Sequence, residues 1–180
     1  MADGILKVGQ ITNSAGSGTI TVPTAVTLQN NTPCLYVSKS GSQTVSDNAY
    51  TKVVFETENA ITTSGTWSSA NNRWTPGVAG TYFLTTIVMG YPDGQDAQTY
   101  QCCLYKNGSI MQDTTANMIS NYLKVSGSQA LTTSIMAVDV SATDYFESFV
   151  YCNTDGSNFI VQSQSGDAVR TFFTAHRLGV

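Results

Sequence analysis

Apolar and polar residues alternate along this chain in short runs, and turn-forming residues separate the runs. Thr19-Ile20-Thr21-Val22 alternates strictly and stops at Pro23. A period of two sends successive side chains to opposite faces of an extended backbone, so the pattern predicts strands. Candidate strands cover 34–39, 51–58, 72–75, 80–89, 97–106, 109–113, 128–140, 145–153 and 169–178. Pro76-Gly77 and Asn107-Gly108 are turn signals, because Pro fixes φ while Gly and Asn tolerate a positive one. Ser141-Ala142-Thr143-Asp144 separates two long strands, and Phe159-Ile160-Val161 falls in a loop bracketed by Asp155-Gly156-Ser157 and Ser165-Gly166-Asp167. Asn117–Lys124 is the one weak helix candidate. About eight to ten strands with short links predict an all-β antiparallel sandwich or barrel.

Two of these strands are apolar on both faces. Gly80–Met89 carries Tyr82, Leu84 and Val88 on one side and Phe83, Ile87 and Met89 on the other. Tyr145–Cys152 sets Tyr145, Phe149 and Tyr151 opposite Phe146, Val150 and Cys152. A half-buried strand needs one apolar face. A second one calls for a second burial surface: a subunit interface, a place at the centre of a tight core, or a long covering loop of the same chain. The expected interface and core set is Tyr82, Phe83, Ile87, Met89, Tyr145, Phe149, Tyr151, Phe172 and Phe173.

Residues 1–32 differ from the rest and read as an arm, with the head at 33–180. Ile5, Val8 and Ile11 alternate weakly, a Ser/Gly-rich turn follows, and Ile20 and Val22 mark a short strand. So few apolar residues cannot form a core. The arm is therefore expected to pack on its own head, on sister chains or on a larger partner.

Composition narrows the function classes. Charged residues are 11% of 180, and the net charge is -4. Without a basic stripe to displace counterions, nucleic-acid binding is not expected. No apolar run approaches the ~20 residues that span a bilayer, so membrane insertion is not expected. Residues 1–7 lack the basic and apolar regions of a secretory signal, and none is expected. Cys102 and Cys103 are adjacent and point to opposite faces of one strand. Buried free thiols are the expected state of the four cysteines, with one bridge from this pair to Cys34 or Cys152 as the alternative. Zinc is not expected, for lack of a Cys-x-x-Cys spacing and with one histidine.

Candidate chemistry is sparse. His176, the single histidine, sits in the terminal strand, and no Gly-x-Ser-x-Gly elbow accompanies it. Glu56 and Glu58 share one side of a strand and read as a solvated face, and Asp93-Gly94-Gln95-Asp96 has too few ligands for a calcium cage. No catalytic residue, metal or cofactor is expected. Trp67, Trp74, Tyr91 and Tyr122 form the candidate aromatic surface set. Trp67, in a Ser/Thr-rich loop, is the candidate glycan contact.

In order along residues 34–180, Phe55…Asn59, Trp74-Thr75-Pro76-Gly77, Gly80-Thr81-Tyr82-Phe83, Leu104…Asn107-Gly108, Asp144-Tyr145-Phe146 and Thr171…Leu178 resemble the globular head of the complement subcomponent q family. That family shares the tumour-necrosis-factor-like jelly roll. Thr143, and Ala175 or His176, stand where the family has glycine, and there is no collagen-like stalk. The resemblance implies a jelly-roll head that works as a trimer. Leu6-Lys7-Val8-Gly9-Gln10-Ile11, the Ser/Gly stretch and Thr19–Pro23 resemble the start of bacteriophage tail-fibre and virion surface proteins.

Together these imply a homotrimeric virion protein, assembled in the host cytoplasm, whose arm docks on other virion proteins. An arm of about 32 residues reaches about 100 Å at most. There is no coiled coil or β-helical shaft, which suits capsid decoration better than a tail-fibre tip. A fibre tip would bind a host-surface glycan. The alternative is a secreted glycan- or protein-binding module.

Overall fold

The computed structural model describes residues 32–179 except 62–63, 95, 114–115, 118 and 164–169. The arm positions Ile5, Val8, Ile11, Ile20 and Val22 lie outside the described residues. In chain order the strands are β1 (Cys34–Ser38), β2 (Gln43–Val45), β3 (Thr51–Lys52), β4 (Thr57–Ile61), β5 (Thr66–Ser68), β6 (Arg73–Thr75), β7 (Gly80–Asp93) and β8 (Ala97–Lys106). They continue with β9 (Ser109–Ile110), β10 (Gln112–Asp113), β11 (Ala116–Asn117), β12 (Ile119–Val125), β13 (Gln129–Val140), β14 (Phe146–Asn153), β15 (Asn158–Val161) and β16 (Phe172–Gly179).

Two sheets face each other, and every pairing in them is antiparallel. The first runs β2-β15-β7-β16-β1-β4, with β13 on the other side of β7. The second runs β12-β8-β14-β6-β5, with β3 on β14 and β9 on β8. The nesting is that of a jelly roll. β8 pairs with β12 in one sheet, β7 pairs with β13 around them in the other, and β14 and β16 return to β8 and β7.

The core lies between the sheets. On β7 the inward residues Tyr82, Leu84 and Val88 are fully buried, and Tyr100, Leu104, Phe146 and Val150 meet them from the second sheet. Three polar contacts cross this layer. Tyr100 donates to the Val88 carbonyl at 2.8 Å, Thr133 to the Cys102 carbonyl at 2.7 Å, and the Thr86 and Ser148 hydroxyls meet at 2.8 Å. Each bond satisfies a group whose burial alone costs free energy, and each ties one sheet to the other.

Two turns take the backbone the sequence asks for. Asn107 and Gly108 have φ of 53° and 78°, the pair of positive values that a two-residue hairpin turn needs. Gly77 has φ of 72° after Pro76, and a Cβ there would collide with the Ser64 carbonyl.

Several elements differ from expectation. Of the expected helix 117–124, Asn117 lies in strand β11 and residues 119–124 in strand β12, which is held along most of its length by β8. Phe159-Ile160-Val161 is strand β15, fixed between β2 and β7, rather than part of a loop. The expected strand 51–58 splits into β3 and β4, which join opposite sheets. The expected 109–113 splits into β9 and β10. Expected strand 80–89 runs on to Asp93. Its Pro92 lies past the end of the β13 pairing, where the missing N–H breaks no ladder on that side.

Candidate functional site

The outer face of the first sheet is built by register. His176 on β16 pairs with Cys34 on β1 and with Phe83 on β7, and Phe83 pairs with Met136 on β13. The next outward row is Tyr36, Thr174, Thr85 and Ser134, and beyond it lie Phe172, Ile87 and Thr132. None of these residues carries a carboxylate, ammonium or guanidinium. Exposed sheet faces normally carry charge, and these three rows do not.

Its least polar end is also its most exposed. Met136 is 61% exposed, Val138 58%, Leu178 55% and Phe83 37%. Val138 stands in the bulge of β13 between Ala137 and Val140, and Leu178 in the irregularity of β16 between Arg177 and Gly179. Arg177 itself turns aside, its guanidinium donating to the Ala79 carbonyl at 3.1 and 2.8 Å. The middle of the face is a hydroxyl row, with Thr85 and Ser134 in contact at 2.9 Å. Tyr36 meets Phe172 edge-on at 5.9 Å.

The expected interface and core set divides into three groups and one residue apart from them, Tyr145. Tyr82 and Phe173 are fully buried in the core. Phe83, Ile87, Met89 and Phe172 stand on the outer face just described. Phe149 and Tyr151 face outward from the opposite sheet, and there the chain covers itself. Tyr105 stacks on Phe149 at 4.0 Å, Tyr50 lies 5.0 Å from Tyr151, and Lys52 reaches over Phe149 while pairing with Glu147. The two-faced pattern of β14 is thus met by a covering segment at residues 50–52. Tyr145 is partly exposed under the Arg73 guanidinium, 4.6 Å from its ring. Met136, Val138 and Leu178 were not in the expected set, although the alternation Thr132, Ser134, Met136, Val138 along β13 carries the signal.

Trp67 is not a surface ring. It is 8% exposed and packs at 71° against Phe55, with centroids 6.1 Å apart. Its strand β5 pairs with β6 so that Trp67 lies opposite Trp74, which is fully buried against Tyr82 and Phe146. The Ser/Thr-rich surroundings belong to the backbone edge, while both indoles turn into the core.

The ionisable groups hold loops in place. Glu56 accepts from the buried Lys39 ammonium at 3.0 Å and from the Ser40 N–H at 2.8 Å. Burial raises its carboxyl, and these partners outweigh that and hold it below the usual value. Asp47 accepts from the Thr154 and Gly156 N–H groups, which hold it low as well. Burial pushes the Cys102 thiol up to about 12 and the Cys152 thiol to about 11, and raises Cys103 further. All four cysteines are unbridged. Held protonated, the Cys102, Cys103 and Cys152 thiols are poor nucleophiles and poor metal ligands. Among the described residues no group of three His, Cys, Asp or Glu side chains gathers to hold a metal, and there is no helix long and apolar enough to cross a membrane.

No protein-family model matches the sequence, and no curated protein does. Solved structures do match. Eiger TNF from S. frugiperda superposes with a TM-score of 0.58 at 11% identity, covering 83% of this chain and 94% of that one. Murine APRIL superposes with TM-scores of 0.55 at pH 8.5 and 0.56 at pH 5.0, again at 11% identity, covering 82% of this chain and 99% of that one. At such identity the likeness is one of fold, and the fold of residues 32–179 is the tumour-necrosis-factor-like antiparallel jelly roll.

Proposed function

We propose that this chain is a structural protein of a bacteriophage virion surface. It is a homotrimeric jelly-roll knob that closes through the outer face of its first sheet, and residues 1–32 tie it to the particle. One observation carries the self-association: an uncharged sheet face whose apolar end, with Phe83, Met136, Val138 and Leu178, stands open in the single chain. Apolar area removed from water contributes about 25 cal/mol per Å², and this face gains it when another copy covers it. The complement subcomponent q-like motifs over residues 34–180 support a three-fold arrangement. The arm's resemblance to virion proteins supports the particle, and its short reach favours capsid decoration over a fibre tip.

Replacing Met136 by Glu places an unpaired carboxylate in the covered face. Met136→Glu is expected to leave a folded monomer with an unchanged far-ultraviolet spectrum, and a variant that still assembles would rule out this face. Immunogold labelling of particles tests the location. Label on heads supports decoration, label at tail ends supports the fibre tip, and unlabelled particles overturn the virion role.

Host attachment, within the same reading, has a different surface from the one expected at Trp67. Tyr50 is 43% exposed, its hydroxyl donating to the Gln101 amide oxygen at 2.9 Å, and the Tyr151 hydroxyl beside it donates to the Asn48 amide oxygen at 3.0 Å. Rings flanked by amides suit stacking against a sugar. Tyr50→Ala is expected to weaken adsorption to host cells if the knob is the attachment organ, and to leave adsorption unchanged if it is capsid decoration.

A further inference from the structure

His176 stands in the least polar row of the outer face. Its ring lies 5.5 Å from that of Phe83 at 53°. The groups facing it are known from each neighbouring strand. β1 brings the Cys34 thiol, β7 brings Phe83, and β13 brings Met136 beyond Phe83. No acid is among them. The nearest charged residues along the same strands are Arg177, whose guanidinium is held on the Ala79 carbonyl, and Asp139, in the bulge of β13 three residues past Met136.

We propose that His176 makes the assembly sensitive to protons: the three-fold knob forms with a neutral imidazole at this position and comes apart when the ring is protonated. This rests on the trimer reading above. In the single chain the ring is exposed and water solvates either protonation state. In the covered face it lies beside Phe83 and Met136, where a charged ring loses its hydration and none of the groups facing it from its own chain is a carboxylate.

The sign follows from linkage. The monomer binds more protons than the assembly, so assembly is strongest at the higher pH and weakens as the solution is acidified. Each trimer closes over three such rings, so the loss is taken three times per assembly.

The test is sedimentation of the full chain over a dilution series at about pH 8 and pH 5.5, for the wild type, His176→Gln and His176→Phe. The wild-type midpoint is expected to move up by more than about tenfold at the lower pH. Both variants, uncharged throughout, are expected to move less than about threefold, and His176→Phe supplies the comparison should the glutamine amide itself weaken packing. A wild-type trimer indifferent to pH overturns the inference and leaves the trimer standing. So does one that tightens in acid, or a shift retained in both variants. A wild-type monomer at both pH values overturns the trimer reading and this inference together.

Discussion

Trp67 shows what a single residue can hide. Serine and threonine surround it in the sequence, and that neighbourhood reads as surface. Its exposure is set instead by β5 lying beside β6, which turns Trp67 inward beside Trp74. Nothing local announces that pairing, since β5 has three residues. Trp67→Ala is therefore a core deletion. It is expected to lower unfolding free energy by about 3–5 kcal/mol in urea titrations, as large aromatic deletions do. The glycine and asparagine turns, by contrast, were legible, because a positive φ admits few residue types.

Asp144 is a second residue whose work shows only in three dimensions. It accepts from Lys106 at 2.8 Å, from the Asn107 amide at 2.7 Å and from the Ser141 N–H at 2.8 Å. Partial burial raises its carboxyl, and those three partners outweigh it and hold it below the ordinary aspartate value. The folded state therefore favours the ionised form. Its contribution is present above about pH 4 and is lost as pH falls through the lowered value. The stability gap between wild type and Asp144→Asn is expected to be largest near neutrality and to shrink toward about pH 3, as measured by urea unfolding at both pH values.

At the scale of elements, the long strands were readable and the short ones were not. β7, β8, β13 and β14 combine alternation with clear turn signals at most of their ends. β12 escaped because Asn121 and Tyr122 interrupt its alternation of Ile119, Leu123 and Val125, and its conformation comes from pairing with β8. β15 escaped because four residues between two turn clusters look like part of a loop. Gly77 tests how far one turn controls its elements. Gly77→Ala puts a Cβ against the Ser64 carbonyl and pays left-handed strain of roughly 1–2 kcal/mol besides. The expected loss is more than about 2 kcal/mol in chemical denaturation, and a neutral substitution would show that this turn bends freely.

At the scale of the whole molecule, an apolar second face was legible from the alternation, and the sheet that leaves it open was not. β7 and β14 carry the same two-faced pattern. Tyr50 and Lys52 cover the outer side of β14, while no described residue covers the Phe83–Met136 end of the first sheet. The difference lies in where residues 50–52 fall in the fold, a long-range outcome that no window of sequence contains. The account stands on that open end being closed by two further copies. The most direct measurement is the mass of the intact chain in solution at about pH 8, by sedimentation equilibrium or light scattering. The predicted result is three times the 19.2 kDa of one chain, a mass that falls to a single chain in Met136→Glu. A wild-type mass of 19.2 kDa at micromolar concentration would contradict it.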